Sequence, residues 1–347
     1  MMRRAGKIVR WFVIILLLLV VIGLCFPTWT PKISNRNSIS ELRKTEVNGT
    51  PLELMIRGNN KDNPIIIFVH GGPCCSEIPY VRKYQDLLEK DFTIVQYDQR
   101  GSGKSYQFGS DDSNIDASIH VSDLIALTEY IEEYLDKKEV ILVGHSYGTY
   151  IATMAVAQKP ELYRAYVGIG QMSNTIDSEL DSLQKCIHAA EEAENNKDIT
   201  YLKGLENSIA QGEGLAPREY VRKYGFAARK INESEDYLKG FIFNREYNLL
   251  DIMRYYVAAS KYQERLIMEA IKNPVSDIVT EIDKPVFFVM GKYDCMTSPK
   301  AADQYLRSLK GKGTRELVMF EESAHYPQFE EKEKFYHWMY DTFKNEE

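Results

Sequence analysis

The chain has only five cysteines in 347 residues, and none are spaced as C-x-x-C or clustered with histidine as zinc ligands would be. Cys25 lies in an apolar segment, Cys74 and Cys75 are adjacent, and Cys186 and Cys295 stand alone. They do not form a disulfide framework; a chain this long does not need one, and free thiols are expected. Long runs of like charge are absent, as is any interleaving of basic and aromatic residues. With a formal net charge of −7, this argues against nucleic acid as a partner. No internal repeat or low-complexity tract is present, and no metal or other cofactor is expected. The remaining composition is that of a globular protein, long enough for one large domain with an insertion or for two domains.

One long hydrophobic run stands out. Arg3, Arg4, Lys7 and Arg10 precede an uncharged apolar stretch from Trp11 to Phe26, which Pro27 closes. With Ile8 and Val9 added and Arg10 reaching toward the interface, it approaches the roughly 20 residues that span a bilayer. A transmembrane anchor is expected over residues 1–27, with cleavage as a secretory signal as the alternative. Four cations before the span, against Lys32 and Arg36 just after it, place the N-terminus in the cytoplasm and the large domain outside. Residues 28–44 are polar and read as a stalk, with the fold starting near Thr45.

Beyond it, Asn48-Gly49 signals a hairpin. Short apolar runs at 65–69, 92–97, 139–143 and 163–169 read as buried strands, with helical patterns at Val81 to Lys90 and Val121 to Leu135 between them. This alternation predicts a mostly parallel, twisted sheet covered by helices. From about residue 171 to 279 strand signals vanish and charged helical stretches follow one another, among them Glu179 to Glu194 and Leu249 to Ile271. Strands resume at 285–290 and 317–320, and a last helix covers Lys332 to Phe343. The expected organisation is a core of residues 45–170 and 280–347, interrupted by a helical insertion at 171–279.

Gly144-His145-Ser146-Tyr147-Gly148 falls between a strand and a helix, where a tight turn projects a serine hydroxyl above the sheet. A serine needs a base, and the base an orienting acid. Asp294 follows the strand ending at Met290, and His325 follows the strand ending at Phe320, giving the order Ser, acid, His. Asp303 or an acid earlier in the chain is an alternative, and Glu321 and Glu322 read as solvated charges. Two N–H groups are needed for an oxyanion: Tyr147, directly after the serine, and Gly72 in His70-Gly71-Gly72-Pro73, with Gly71 and Cys74 as alternatives. The segment 98–105, DQRGSGKS, resembles a phosphate loop but has Asp98 where a Walker motif needs glycine. Asp98 and Arg100 are expected to order the site instead.

Together HGGP at 70–73, DQRGSGKS, GHSYGT at 144–149, the aspartate of GKYD at 291–294 and the histidine of SAHYPQFEE at 323–331 resemble the α/β-hydrolase superfamily. The nearest branch is the proline iminopeptidase-like group, and NREYNLLD at 244–251 is similar to a cap-helix entry found there. Cys74 replaces the last glycine of that group's HGGPG, and GHSYG stands where GGSWG is frequent. The resemblance implies an α/β-hydrolase fold with a helical cap. It also implies Ser146 as nucleophile, Asp294 as orienting acid and His325 as general base, working through an acyl-enzyme on a small-molecule or short-peptide substrate. Carboxylesterase or lipase activity, and a non-catalytic binding protein, remain the alternatives. That group holds its substrate's amine with cap glutamates; Glu213, Glu219 and Glu246 are available, and none is assigned.

Overall fold

Eight strands form one sheet: β1 Ile39–Val47, β2 Thr50–Gly58, β3 Ile65–Val69, β4 Thr93–Tyr97, β5 Val140–His145, β6 Tyr163–Ile169, β7 Val286–Gly291 and β8 Arg315–Phe320. Their spatial order is β1-β2-β4-β3-β5-β6-β7-β8. This computed structural model describes residues 2–110 and 115–344, with side chains from Lys7 onward. Two of the four N-terminal cations, Arg3 and Arg4, therefore have side chains outside the described residues. From β4 to β8 every pairing is parallel, with Ile67 between Val95 and Leu142, and Val143 opposite Val167. Only β1–β2 and β2–β4 are antiparallel.

The apolar runs are unbroken because both faces of the sheet are covered. Ile65, Ile67 and Val69 join one cluster with Leu124 and Leu127 of helix α3 (Ala117–Leu135) and Ile151 of α4 (Tyr147–Gln158). Their neighbours Ile66 and Phe68 point the other way, into a cluster closed by Phe335, Met339 and Phe343 of the C-terminal helix, Lys332–Phe343. Each such aliphatic side chain contributes about 1.5–3 kcal/mol by leaving water. β5, and α4 as far as Val156, are buried on all sides, so the loop joining them is fixed from below and behind.

Between β6 and β7 the described residues contain only helices: α5 Thr175–Glu192, α6 Asn196–Lys203, α7 Glu206–Ala210, α8 Arg218–Lys223, α9 Glu233–Phe243, α10 Leu249–Lys272 and α11 Val275–Ile278. Leu183, Ile187, Leu202 and Val221 give α5, α6 and α8 an apolar cluster of their own. A second cluster joins Phe241, Tyr247 and Tyr255 to Tyr80, Tyr84 and Phe329 of the sheet-bearing part.

Two local expectations differ from the structure. No continuous helix covers Val81 to Lys90: a helical turn, α2 (Ile78–Val81), and a 3-10 turn, Leu88–Lys90, flank irregular backbone. Side-chain partners decide the path there, because Arg82 bonds Glu246 at 3.0 Å, Lys83 and Tyr84 reach Asp236, and Gln85 bonds Glu89 at 2.8 Å. The sheet also begins at Ile39 rather than near Thr45. β1 is an edge strand of Ser, Glu, Arg and Lys, a composition that protects an exposed edge and looks like linker in sequence. Nor are residues 28–31 free. Lys104 Nζ donates to Thr28 Oγ1 (2.9 Å), Trp29 N–H to the Arg245 carbonyl (2.9 Å), and Arg57 to Thr30 Oγ1 (2.7 Å) and the Pro31 carbonyl (2.6 Å).

The Asn48-Gly49 hairpin forms, both residues having positive φ (48° and 68°), as a two-residue turn between twisted strands needs. At the N-terminus α1 (Met2–Cys25) is helical, and Lys7–Cys25 is long and apolar enough to cross a membrane, with none of it buried in the molecule.

Candidate functional site

Ser146 occupies the corner between β5 and α4 at φ 54° and ψ −124°, a backbone state that side-chain-bearing residues rarely adopt and that must be held by its surroundings. The grip comes from close packing of backbone on backbone. A Cβ on Gly148 would lie 1.9 Å from the Val69 carbonyl oxygen, and one on Gly144 2.8 Å from Thr149 Cα. Ser146 N–H donates to the Ile169 carbonyl at 2.9 Å, fixing the corner to β6.

His325 and Asp294 arrive from the loops after β8 and β7. His325 Nδ1 lies 2.8 Å from Asp294 Oδ2, and both side chains are buried. Asp294 is oriented by its own loop: Oδ1 accepts the N–H groups of Met296 (2.8 Å) and Thr297 (3.0 Å), and Oδ2 the Thr297 hydroxyl (2.9 Å). With Nδ1 committed to a carboxylate, Nε2 is the nitrogen left to accept a proton. A Cβ on Gly170 would lie 2.7 Å from His325 Cε1, so the end of β6 packs against the ring. The other acids weighed from sequence lie elsewhere: Asp303 pairs with Arg307 at 2.8 Å, Glu321 with Lys292 at 2.9 Å, and Glu322 with Lys230.

Ser146 and His325 face a cavity of about 530 Å³, together with Gly71, Gly72 and Tyr147. Tyr147 is the first residue of α4, so its N–H has no intrahelical acceptor. Gly71 comes so near that a Cβ on it would sit 2.8 Å from Ser146 Cβ. Gly72 has φ +114° and precedes a cis proline. Cys74 is buried and does not line the cavity; Cys75 does, accepting a bond from Gln263 Nε2 at 3.5 Å. Burial pushes its thiol pKa up, and all five cysteines are free.

The segment 98–105 supports this loop from beneath. His70 Nε2 lies 3.0 Å from Ser102 Oγ, and Gln99 Nε2 donates to the His70 carbonyl at 2.7 Å. Burial lowers the His70 pKa to about 4, so the ring there is neutral. Asp98 Oδ2 accepts the Lys104 N–H and the Tyr247 hydroxyl, each at 2.6 Å, and burial raises its pKa to about 7. Arg100 bonds Asp123 at 2.7 and 2.8 Å. Lys104 Nζ is spent on Glu53 (2.7 Å) and Thr28, and is not presented to a phosphate.

Several residues facing the cavity had no sequence signal. His145, buried beside Ser146, bonds Glu77 through Nδ1 (2.6 Å) and the His325 carbonyl through Nε2 (3.1 Å). Burial opposes charge on His145, but the charge and hydrogen bond of Glu77, the His325 carbonyl and the charge of Asp294 together outweigh it and its pKa is raised. From the inserted helices come Glu179, held by Arg218 at 2.6 and 3.0 Å, and Glu233, bonded to Arg222 and to the Tyr326 hydroxyl (2.6 Å). Buried Ser173 also lines the cavity, and its hydroxyl has no hydrogen-bond partner among the described residues. Of the glutamates considered from sequence, Glu213 and Glu219 are exposed, and Glu246 is buried against Arg82 and Thr30, away from the cavity. Among the described residues no group of three or more His, Cys, Asp or Glu is placed to hold a metal.

Comparison with known proteins finds the alpha/beta hydrolase fold family matching residues 64–332. The chain is similar to the probable aminopeptidase YbaC of Bacillus subtilis, 29% identical over 310 residues, covering 87% of this chain and 96% of that one. It is 26% identical over 287 residues to a proline iminopeptidase of Saccharolobus solfataricus, covering 81% and 84%. The solved proline iminopeptidase of Mycobacterium smegmatis superposes with a TM-score of 0.62 at 13% identity, covering 87% of this chain and 97% of that one, a likeness of fold.

Proposed function

We propose, from the premise that this chain belongs to the α/β-hydrolase fold family, that it is a serine hydrolase that removes an N-terminal aminoacyl or prolyl residue from a small amide or short peptide. The observation that carries the reading is the His325 Nδ1 to Asp294 Oδ2 pairing at 2.8 Å, beside a serine held at positive φ on the same cavity. In this mechanism Ser146 Oγ attacks the substrate carbonyl carbon while its proton passes to His325 Nε2. Asp294 keeps the imidazole oriented and stabilises its charged form. The N–H groups of Tyr147 and Gly72 receive the developing oxyanion, each worth about 3 kcal/mol in the transition state. His325 then gives the proton to the leaving amine, and water, deprotonated by the same nitrogen, releases the acid from the acyl-enzyme.

Charge on the cavity wall favours a cationic amine. Glu77, Glu179, Glu233 and Glu264 line it against His145, Arg218 and Arg222, which pair with the first three in turn as Glu77–His145, Glu179–Arg218 and Glu233–Arg222, an excess of one acid. The names of the relatives, aminopeptidase and proline iminopeptidase, agree with that preference. The helices of 171–279 act as a cap that selects the acyl group. Carboxylesterase chemistry is the second reading, since the same serine and histidine would cleave an ester and the cavity is large enough for a short acyl chain. We read α1 as a retained anchor with its N-terminus in the cytoplasm, because cations gather before the span.

A panel of fluorogenic prolyl and other aminoacyl amides beside short-chain esters tests the substrate class. The expected result is amide cleavage, and activity on esters alone would replace this reading with the second. A fluorophosphonate probe should label the wild type and leave Ser146→Ala unlabelled. Folded wild type that resists the probe removes the serine mechanism altogether.

A further inference from the structure

Apolar side chains are exposed on two adjoining helices of the insertion, and both stripes have helical spacing. On α9 they are Leu238, Ile242 and Phe243, the last 76% exposed; on α10 they are Leu249, Met253, Tyr256 and Val257, with Tyr256 59% exposed. The stripes meet through Phe241, whose ring centroid lies 5.7 Å from that of Tyr256 and 4.9 Å from that of Tyr255. A soluble surface seldom gathers so many large apolar groups unless something covers them.

The start of α10 shows what covers them. α1 packs on that end: a Cβ on Gly23 would lie 3.5 Å from Leu249 Cβ, and Asn248 Nδ2 donates to the Phe26 carbonyl at 2.9 Å. The apolar segment Lys7–Cys25 has 19 residues. At 1.5 Å per residue it is roughly 28 Å long, about the thickness of a bilayer's hydrocarbon layer. Gly23 is in its last turn, so Leu249 sits where that layer ends. Trp29 lies just beyond, with the Arg245 guanidinium 5.7 Å from its ring centroid, a pairing suited to the headgroup zone.

We propose that the face formed by Leu238, Ile242 and Phe243 of α9 with Leu249, Met253 and Tyr256 of α10 lies on the lipid bilayer that α1 crosses, inserted to the level of the acyl chains. This rests on α1 being a retained anchor. Other faces of the same helices, through Glu233, Tyr237, Gln263 and Ile267, line the cavity. Docking therefore sets the cavity one helix thickness, about 10 Å, from the lipid.

The test uses the full chain in phosphatidylcholine–phosphatidylglycerol vesicles, with Cys25 and Cys75 changed to serine and an environment-sensitive NBD label on Phe243→Cys. A second label site, Tyr201→Cys on α6, is exposed and belongs to the other cluster of inserted helices. Lipids carrying a doxyl quencher should remove roughly half or more of the emission at 243, the response of a group buried 5–10 Å deep, and leave 201 nearly unchanged. Equal response at the two sites, or none at 243, overturns the proposal. Energy transfer between labelled copies at 243 without lipid quenching overturns it in favour of self-association. Resistance to alkaline extraction reports the anchor separately. An extraction-resistant chain with an unquenched 243 label sinks the docking face alone, whereas an extractable chain sinks the anchor and, with it, a face placed on the bilayer that α1 crosses.

Discussion

The two walls of the cavity are built differently. On the sheet side Ser146, Asp294 and His325 sit in short loops directly after β5, β7 and β8 and are held by backbone groups, Ser146 N–H on the Ile169 carbonyl, His325 N–H on the Ala227 carbonyl, and the Asp294 carboxylate on the N–H groups of Met296 and Thr297. On the helical side Glu179, Arg218, Arg222 and Glu233 project from helices and are held chiefly by side chains, Glu179 pairing with Arg218 and Glu233 with Arg222 and Tyr326, while the Ala216 backbone also bonds Glu179 and Arg218. The sheet wall is rigid because parallel strands fix where their C-terminal ends lie. The helical wall is held by ion pairs that a substrate's charge can exchange with. In the proposed mechanism chemistry takes place on the first wall and selection on the second.

That division is open to attack by substitution. The largest expected effect is on the sheet wall: His325→Ala should lower kcat by on the order of 10⁴- to 10⁶-fold, with the fold intact by circular dichroism. A loss of only a few-fold in turnover of the best amide substrate would show that the ring is structural. On the helical wall Glu233→Gln should raise KM about 10-fold for substrates with a free amine and leave kcat nearly unchanged, the size expected from weakening one charged hydrogen bond. An equal rise for N-blocked substrates would contradict a role in amine selection.

The smallest effect concerns the joint between the walls, where Asp98 beneath the Gly71-Gly72 loop meets Tyr247 of the insertion. Burial raises the folded Asp98 pKa from 3.8 to about 7. Between those values the folded chain keeps a proton that the unfolded chain has released, so this contribution to stability is present below about pH 4 and lost as pH rises through 7. Asp98→Asn should flatten the fall in Tm over that interval. An unaltered slope in a thermal melt series would show that Asp98 is charged throughout.

The same contrast accounts for what could be read from residues alone. β3 and β6 are visible as unbroken apolar runs because both faces of the sheet are buried, and Ser146, Asp294 and His325 because each follows such a run. β1 is hidden by its edge position, which favours the charges of a linker. The Glu77–His145 bond joins residues 68 apart, and the Glu179–Arg218 bond joins residues 39 apart. Neither separation follows from periodicity, since each is set by how one piece of chain docks on another. The break in the expected helix after Val81 has the same origin, in partners on α9 and in the turn before α10.

The connection from Thr28 to Pro31 sets the working radius of the molecule. Because Lys104, Arg245 and Arg57 clasp these residues, an anchored copy cannot swing its active site through a hemisphere as a body on a flexible leash would. It would work at one height and one aspect, and the distance to any scissile bond would have to be covered by the length and flexibility of the substrate.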